Sequence, residues 1–427
     1  MAGGRIVGAV LALCVLTTGA GLVAQNTRAD HWVGTWATAV VPRPQAAPGA
    51  AAGRGGAILN FNNQTLRQVV HVSLGGPRVR VVLSNAFGTS PLAVGAAAVA
   101  LRQMESSIAP GSNRPLTFGG QVSTTIAAGA VVVSDPVALA VPPLADLVID
   151  VFLPGDTAAS PSPLTTHASA LQTNYLSGPG NHAGEASFPV AGTTQAWFFL
   201  STVEVSAPAQ VGAVVTFGDS ITDGTLSTPD TNNRWPDHVA RRLLMPAGGS
   251  KAQPMGVLNE GIAGNRILTD VIGPNALSRF DRDVLALNGV THVILLEGVN
   301  DLGLAADAQS MPTAADVVAG HRQLVARAHS HGIKVLAGTI LPFEGTNLGA
   351  IAPNYYSPEK DSRRQAINES IRTGGFYDGV VDFEAAVRDQ AQPKQLLAKF
   401  KGADNLHLND TGYKAMADAV NLALLKR

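Results

Sequence analysis

Between residues 31 and 207, apolar and polar positions alternate in short runs; after residue 207, short apolar runs are separated by longer amphipathic ones. Arg78-Val79-Arg80-Val81 is the clearest two-residue period, which turns one strand face to a core and the other to water. The pattern predicts strands at Thr65–Ser73, Arg78–Ser84, Leu92–Leu101, Val131–Ser134, Asp146–Leu153 and Gln195–Val205. Gly- and Pro-rich segments separate them. Short strands at this spacing predict a β-rich, sandwich-like domain over residues 31–207. The low-complexity stretch Ala46–Gly56 reads as a loop, and no internal repeat is present.

Residues 208–427 predict a different class. Strands are expected at Val211–Phe217, Val257–Asn259, His292–Leu296, Lys334–Ile340 and Val380–Phe383. Between and after them lie expected helices at Trp235–Leu244, Ala276–Leu287, Ala314–His331, Pro358–Thr373 and Thr411–Lys426. Strands that alternate with helices make a parallel sheet covered on both faces, and such sheets bind ligands at the carboxyl ends of their strands.

The N-terminus changes the expected location. Arg5 precedes an uncharged apolar run, Ile6–Ala24, and small residues lead into Gln25-Asn26-Thr27. Residues 1–24 therefore read as a signal peptide cleaved after Ala20 or Ala24, and the protein as secreted or periplasmic. The alternative is a retained N-terminal anchor, because the run is just long enough to span a bilayer. A lipoprotein reading at Cys14 meets Leu13 where a small residue is expected. With the leader removed, no other stretch is long and apolar enough to cross a membrane.

Composition removes several classes. The chain has 427 residues and a net charge of −1, from 30 Lys+Arg against 31 Asp+Glu. That balance excludes a general nucleic-acid or polybasic membrane binder, since phosphate affinity needs clustered positive charge. Cys14 is the single cysteine, which excludes an internal disulfide framework and a cysteine-based metal site. Function has to come from motifs.

Four short segments carry chemistry, each at a strand end or in the last loop. Gly218-Asp219-Ser220-Ile221 follows the first strand of the second half, where a serine is either a rigidly held nucleophile or a helix N-cap. In Asp404-Asn405-Leu406-His407 an acid and a histidine stand three apart. The carboxylate there could fix the imidazole tautomer, or the loop is plain polar surface, with Asp410 as a rival orienter. None of the other nine histidines shares that acid-in-a-loop setting; His167 and His182 are expected in loops. Gly298-Val299-Asn300-Asp301 offers a side-chain N–H, and Asn259-Glu260-Gly261-Ile262-Ala263-Gly264 a backbone N–H, to a developing oxyanion; each alone also reads as a turn or cap. Arg266, two residues past Gly264, either meets a polar substrate or is solvated. Nucleophile, base, orienter and oxyanion donors falling in one domain is hard to credit to chance.

GDSI, the glycine of NEGIAGN, GVND and DNLH stand in the order and approximate spacing of four family blocks. Over Ala213–Leu425 the chain therefore resembles the SGNH hydrolases, also called the GDSL esterase/lipase family. The resemblance implies a flavodoxin-like three-layer α/β/α domain and serine ester hydrolysis with no metal or organic cofactor. By motif position it makes Ser220 the nucleophile, His407 the general base and Asp404 its orienter. The implied oxyanion hole is the Ser220 and Gly264 backbone N–H groups and the Asn300 side chain. Ile221 stands where the family motif has Leu.

The front half is similar to a subgroup of this family with an N-terminal β-rich region, through WVGTWATA (32–39), NQTLRQVVHVSLGG (63–76) and RVVLSNAFGTSPL (80–92). That subgroup includes arylesterases and acyl hydrolases associated with xylan breakdown. The similarity implies an acetyl or aryl ester of a plant polysaccharide as substrate; the expected activity is on short-chain esters, small-molecule or polysaccharide, and the charge balance implies no nucleic-acid partner. Two other readings compete. One is a carbohydrate-binding or surface-interaction protein with a vestigial hydrolase domain. The other is a longer-chain lipase or thioesterase, with Ala305–Met311 as its lid.

Overall fold

A strand whose every residue is buried, Gly212–Gly218, forms the spine of the second half. The computed structural model describes residues 1, 3, 4, 30–44, 60–245 and 253–426. The signal-peptide reading of residues 1–24, apart from residues 1, 3 and 4, and the loop reading of residues 46–56 lie outside the described residues. Residues Met1–Asp30 and His31–Arg427 are separate units, and the second is described here.

Gly212–Gly218 pairs in parallel with Met255–Gly261 on one side and Val290–Leu296 on the other. Lys334–Gly338 and Gly379–Val381 continue the sheet beyond Val290–Leu296, also in parallel. Helices Trp235–Leu244, Phe383–Val387 and Asp410–Ala419 pack together as one group. Ala276–Phe280, Ala314–Ser330 and Pro358–Thr373 form another. This is the three-layer α/β/α arrangement with the flavodoxin-like strand order.

Helix boundaries follow their caps. Pro358–Thr373 starts where the Ser357 side chain accepts from Lys360 N, with Pro at the first helical position. Three elements depart from expectation. The segment expected to be one helix over 276–287 widens to a π-helical turn at Asp281–Leu285. The last helix stops at Ala419: Val420 is extended, and the Asn421 side chain accepts from Ala423 N to start a separate short turn, Leu422–Leu425. A local side-chain acceptor of this kind competes with helix continuation. Phe383 belongs to a helix, because the Asp382 side chain accepts from Ala385 N and caps it.

The front half is an antiparallel, sandwich-like region. One sheet runs His31–Ala37, Leu200–Ala207, Gly76–Ser84 and Val131–Val133. The larger one is centred on Gln64–His71, Asp146–Leu153 and Ala96–Met104. Val79, Val81 and Leu83 point inward from the first, and Leu147, Ile149 and Val151 from the second, into one apolar cluster. The alternation at Arg78–Val81 therefore does what its period predicts.

The expected strand Leu92–Leu101 breaks at Gly95, where a Cβ would press on the Phe152 ring at 2.7 Å. Strands Leu164–His167, Asn174–Pro179 and Val190–Thr194 were not legible in the pattern, and His167 lies in a strand rather than a loop. Gln64–His71 is buried on both faces. Its Arg67 is fully covered and forms a two-point ion pair with the cross-strand Asp150, at 2.8 and 2.7 Å.

The two regions share their core. The apolar cluster runs from Val33 and Val203 to Val214 and Leu258. Gly34 N donates to Asn288 O at 3.0 Å, and Ser73 Oγ accepts from Val257 N at 2.9 Å. Among the described residues no helix is long and apolar enough to cross a membrane.

Candidate active site

Gly218 ends its strand between Gly261 and Leu296, at the point where the sheet's strand order runs outward in both directions. A crevice opens at the carboxyl ends of strands at such a point. A Cβ on Gly218 would lie 2.2 Å from Thr222 Oγ1 and 2.6 Å from the Leu296 carbonyl oxygen, so the turn requires glycine. Asp219 Oδ1 accepts from Ile221 N at 2.9 Å and caps a four-residue helix, Ser220–Asp223, which Gly224 closes at φ +95°. Backbone geometry therefore fixes Ser220 at the strand end.

His407 arrives from 187 residues away, with Nε2 2.7 Å from Ser220 Oγ. Its Nδ1 lies 2.6 Å from Asp404 Oδ2. An ionised carboxylate only accepts, so Nδ1 carries the hydrogen and Nε2 is left to accept from the serine hydroxyl. Asp404 Oδ1 accepts from Leu406 N and His407 N at 3.0 and 2.9 Å. Burial alone would raise the Asp404 pKa, but the His407 ring and these backbone N–H groups overcome it and hold the carboxyl at about 2. Asn405 makes the loop fold back with φ +58°, a conformation Asn tolerates better than most residues. The rival Asp410 is engaged elsewhere, accepting from Thr228 N and Asn233 Nδ2.

The other two strand ends meet each other. Asn300 Nδ2 donates to the Asn265 carbonyl at 3.0 Å, next to Gly264, and leaves its second hydrogen for a ligand. Gly264 has φ +75°. Asp301 accepts from Ile267 N and Leu268 N at 2.9 and 3.1 Å, which staples the two segments together. Burial pushes the Asp301 carboxyl up to about 6 and that of Asp219 up to about 7. Arg266 is half-buried; its guanidinium donates to the Leu304 carbonyl at 2.8 Å and ties the Gly264 loop to the segment after Asn300.

Sequence reasoning missed the groups beneath and behind this surface. The buried Arg279 guanidinium donates to the carbonyls of Gly218 and Glu260, to Asn265 Oδ1, and to Asp283 and Glu297. One cation thus holds the ends of the serine strand and the glycine strand, with Glu297 behind. Tyr355 OH donates to Asn300 Oδ1 at 2.8 Å. His71, His167, His182 and His329 also have carboxylate partners. What sets His407 apart is a buried serine hydroxyl on its other nitrogen. Among the described residues no group of three or more His, Cys, Asp or Glu is placed to hold a metal ion.

Residues 216–415 match the model of the GDSL-like Lipase/Acylhydrolase family. They form a GDSL-like lipase/acylhydrolase domain. The chain thus carries an ester hydrolase, and the GDSL-like domain spans all five parallel strands except the start of the first. The fold is similar to a lipolytic protein of the G-D-S-L family from Desulfitobacterium hafniense, at 22% identity and a TM-score of 0.36, covering 51% of this chain and 99% of that one. It is similar also to a carbohydrate acetylesterase from Sinorhizobium meliloti, at 17% identity and a TM-score of 0.39, covering 50% and 99%. An acetylxylan esterase from Geobacillus stearothermophilus matches at 19% identity and a TM-score of 0.34, covering 51% and 96%. No curated protein matches the chain.

Proposed function

We propose that this GDSL-like domain hydrolyses short-chain carboxylic esters with Ser220 as nucleophile, His407 as general base and Asp404 as its orienter. The observation that carries the reading is the unbroken line Asp404–His407–Ser220, at 2.6 and 2.7 Å. Ser220 Oγ attacks the ester carbonyl while His407 Nε2 takes its proton. The tetrahedral oxyanion is held by the Ser220 and Gly264 backbone N–H groups and Asn300 Nδ2. His407 then protonates the leaving alcohol, and water repeats the sequence on the acyl-enzyme. Asp404, ionised at neutral pH, stabilises the imidazolium in both steps.

The short acyl chain is supported by the state of Ala305–Met311, the lid expected of a longer-chain lipase. Lys360 Nζ holds the Ala305 carbonyl at 3.3 Å, and Arg363 Nη1 holds those of Met311 and Pro312 at 2.5 and 2.8 Å. A segment tied at both ends does not offer a moving apolar cover. Plant-polysaccharide acetyl or aryl esters as substrate rest on the resemblance of the front half, and export to the periplasm or medium rests on residues 1–24. Arg266 is assigned a contact with a polar substrate.

The test compares wild type with Ser220→Ala on p-nitrophenyl acetate, butyrate and octanoate. Activity highest on acetate and absent from the variant is expected, with acetylated xylan as the next substrate. A preference for octanoate supports a lipase instead, and inactivity on every ester supports a binding protein. Full activity in Ser220→Ala overturns the nucleophile. Arg266→Ala is expected to raise KM for polar esters; an unchanged KM removes that contact.

A further inference from the structure

The serine helix is held from outside its own domain. Its last residue, Asp223, meets His167, the last residue of the strand Leu164–His167 in the β-rich region. His167 Nε2 lies 3.0 Å from Asp223 Oδ1, and His167 Nδ1 lies 2.7 Å from the Ala39 carbonyl oxygen. The Ala39 carbonyl oxygen can only accept, so Nδ1 carries a hydrogen and Nε2 is the nitrogen shared with Asp223. The two side chains are 5% and 6% exposed.

The surroundings make this an effective tether. Asp223 Oδ2 has no hydrogen-bond partner among the described residues, so the carboxylate is held through Oδ1. Burial disfavours the imidazolium, but Asp223 and the Ala39 carbonyl outweigh it and raise the His167 pKa. Arg234 opposes it from the start of the next helix, with its guanidinium over the Trp197 ring that packs 5.7 Å from His167. His71 and Asp237 line, with Asp223 and Arg234, a cavity of about 30 Å³ between the two regions, and the buried Tyr413 faces Asp223 from the last helix. Ser220 and Asp223 are the two ends of one helical turn, and Gly224 N and Thr225 N both donate to the Ser220 carbonyl. A shift of Asp223 is therefore transmitted to Ser220.

We propose that His167 is a positioning residue for Ser220: acting through Asp223, it fixes the serine helix, so that the β-rich region completes the active site of the α/β region. This rests on the reading of Ser220 as nucleophile.

The experiment uses the full chain and p-nitrophenyl acetate, with His167→Ala, His167→Gln, Asp223→Ala, the His167→Ala/Asp223→Ala double variant and Ser220→Ala. A misplacement of about 1 Å at a catalytic group costs up to about 10²-fold, so kcat of His167→Ala is expected to fall about 10- to 100-fold with KM nearly unchanged. His167→Gln keeps one donor toward Asp223 and is expected to recover part of that loss. The double variant is expected to be no slower than the slower single one, because both act through one contact. Wild-type kcat in folded His167→Ala, or in folded Asp223→Ala where His167→Ala does not fold, overturns the proposal even if Tm falls. Losses that multiply in the double variant overturn it too. Full turnover by Ser220→Ala overturns the nucleophile and this inference with it, whereas an inactive Ser220→Ala beside a fully active His167→Ala or Asp223→Ala overturns this inference alone.

Discussion

The Tyr355 hydroxyl donates to Asn300 Oδ1 at 2.8 Å, and Nδ2 of the same amide donates to the Asn265 carbonyl at 3.0 Å. The amide is therefore oriented from both ends, and its remaining hydrogen has one direction in which to point. Tyr355 is fully buried, and burial raises its pKa well above the ordinary phenol value, so it stays a donor at any working pH.

Tyr355→Phe removes this hold without removing the amide. A hydrogen bond of about 1 kcal/mol corresponds to a loss of roughly fivefold, expected in kcat rather than KM. Asn300→Ala removes the donor itself and is expected to cost about 10²–10³-fold. Steady-state kinetics on p-nitrophenyl acetate measure both; wild-type kcat in Tyr355→Phe would mean that packing alone orients the amide.

Gly264→Ala tests the other oxyanion donor proposed above. At φ +75° an added Cβ is strained by about 1–2 kcal/mol. The nearest atom it meets is Ile272 Cδ1 at 2.8 Å, the end of an exposed side chain that can swing away. The expected result is a modest drop in stability in urea titration and a larger drop in kcat, as the N–H turns from the oxyanion.

The acids around the site predict two opposite pH effects on stability. Asp219 and Asp301 are raised from 3.8 to about 7 and about 6, so between these limits the folded state binds more protons than the unfolded one. Their contribution is full below about pH 4 and is lost as pH rises through about 6 to 7. Asp404 is depressed from 3.8 to about 2, so its contribution is present above about pH 4 and is lost as pH falls through about 2. Asp219→Asn keeps an acceptor for Ile221 N and is expected to flatten Tm against pH between about 4 and 7. Asp404→Asn is expected to flatten it below about 4 and to cost activity. A wild-type slope in Asp219→Asn would remove that carboxyl from the account.

Gly256→Ala tests the joint between the two regions. The added Cβ would lie 2.0 Å from the Gly34 carbonyl oxygen, backbone against backbone, so a strand of the parallel sheet has to move from the first strand of the sandwich. Overpacking of this kind costs about 1–3 kcal/mol or more. Because the apolar cluster is continuous, thermal unfolding is expected to stay a single transition at lower Tm. Two separate transitions would show that the regions fold independently.

Much of this protein is written in neighbouring residues. The helices Trp235–Leu244 and Pro358–Thr373 begin where the sequence places them, because Asp237, Ser357 and Pro358 act on backbone groups within three positions. Asp404 and His407 likewise meet inside one loop. Strands such as Asn174–Pro179 escaped, since Gly and Pro within them mask the period.

The groups that hold the site were not legible. Tyr355 lies 55 positions from Asn300, Arg279 lies 61 from Gly218, and Asp223 lies 56 from His167. Periodicity and capping act over a few residues, because they follow from backbone geometry. A bond between side chains this far apart leaves no local pattern, since it forms only when the folded chain brings the two together. The sequence determined the five parallel strands, most of the central strands of the sandwich, the turn at Ser220 and the candidate chemical groups. Tertiary packing, within the parallel-sheet region for Tyr355 and Arg279 and between the sandwich and that region for His167, decided which buried partners fix those groups in place.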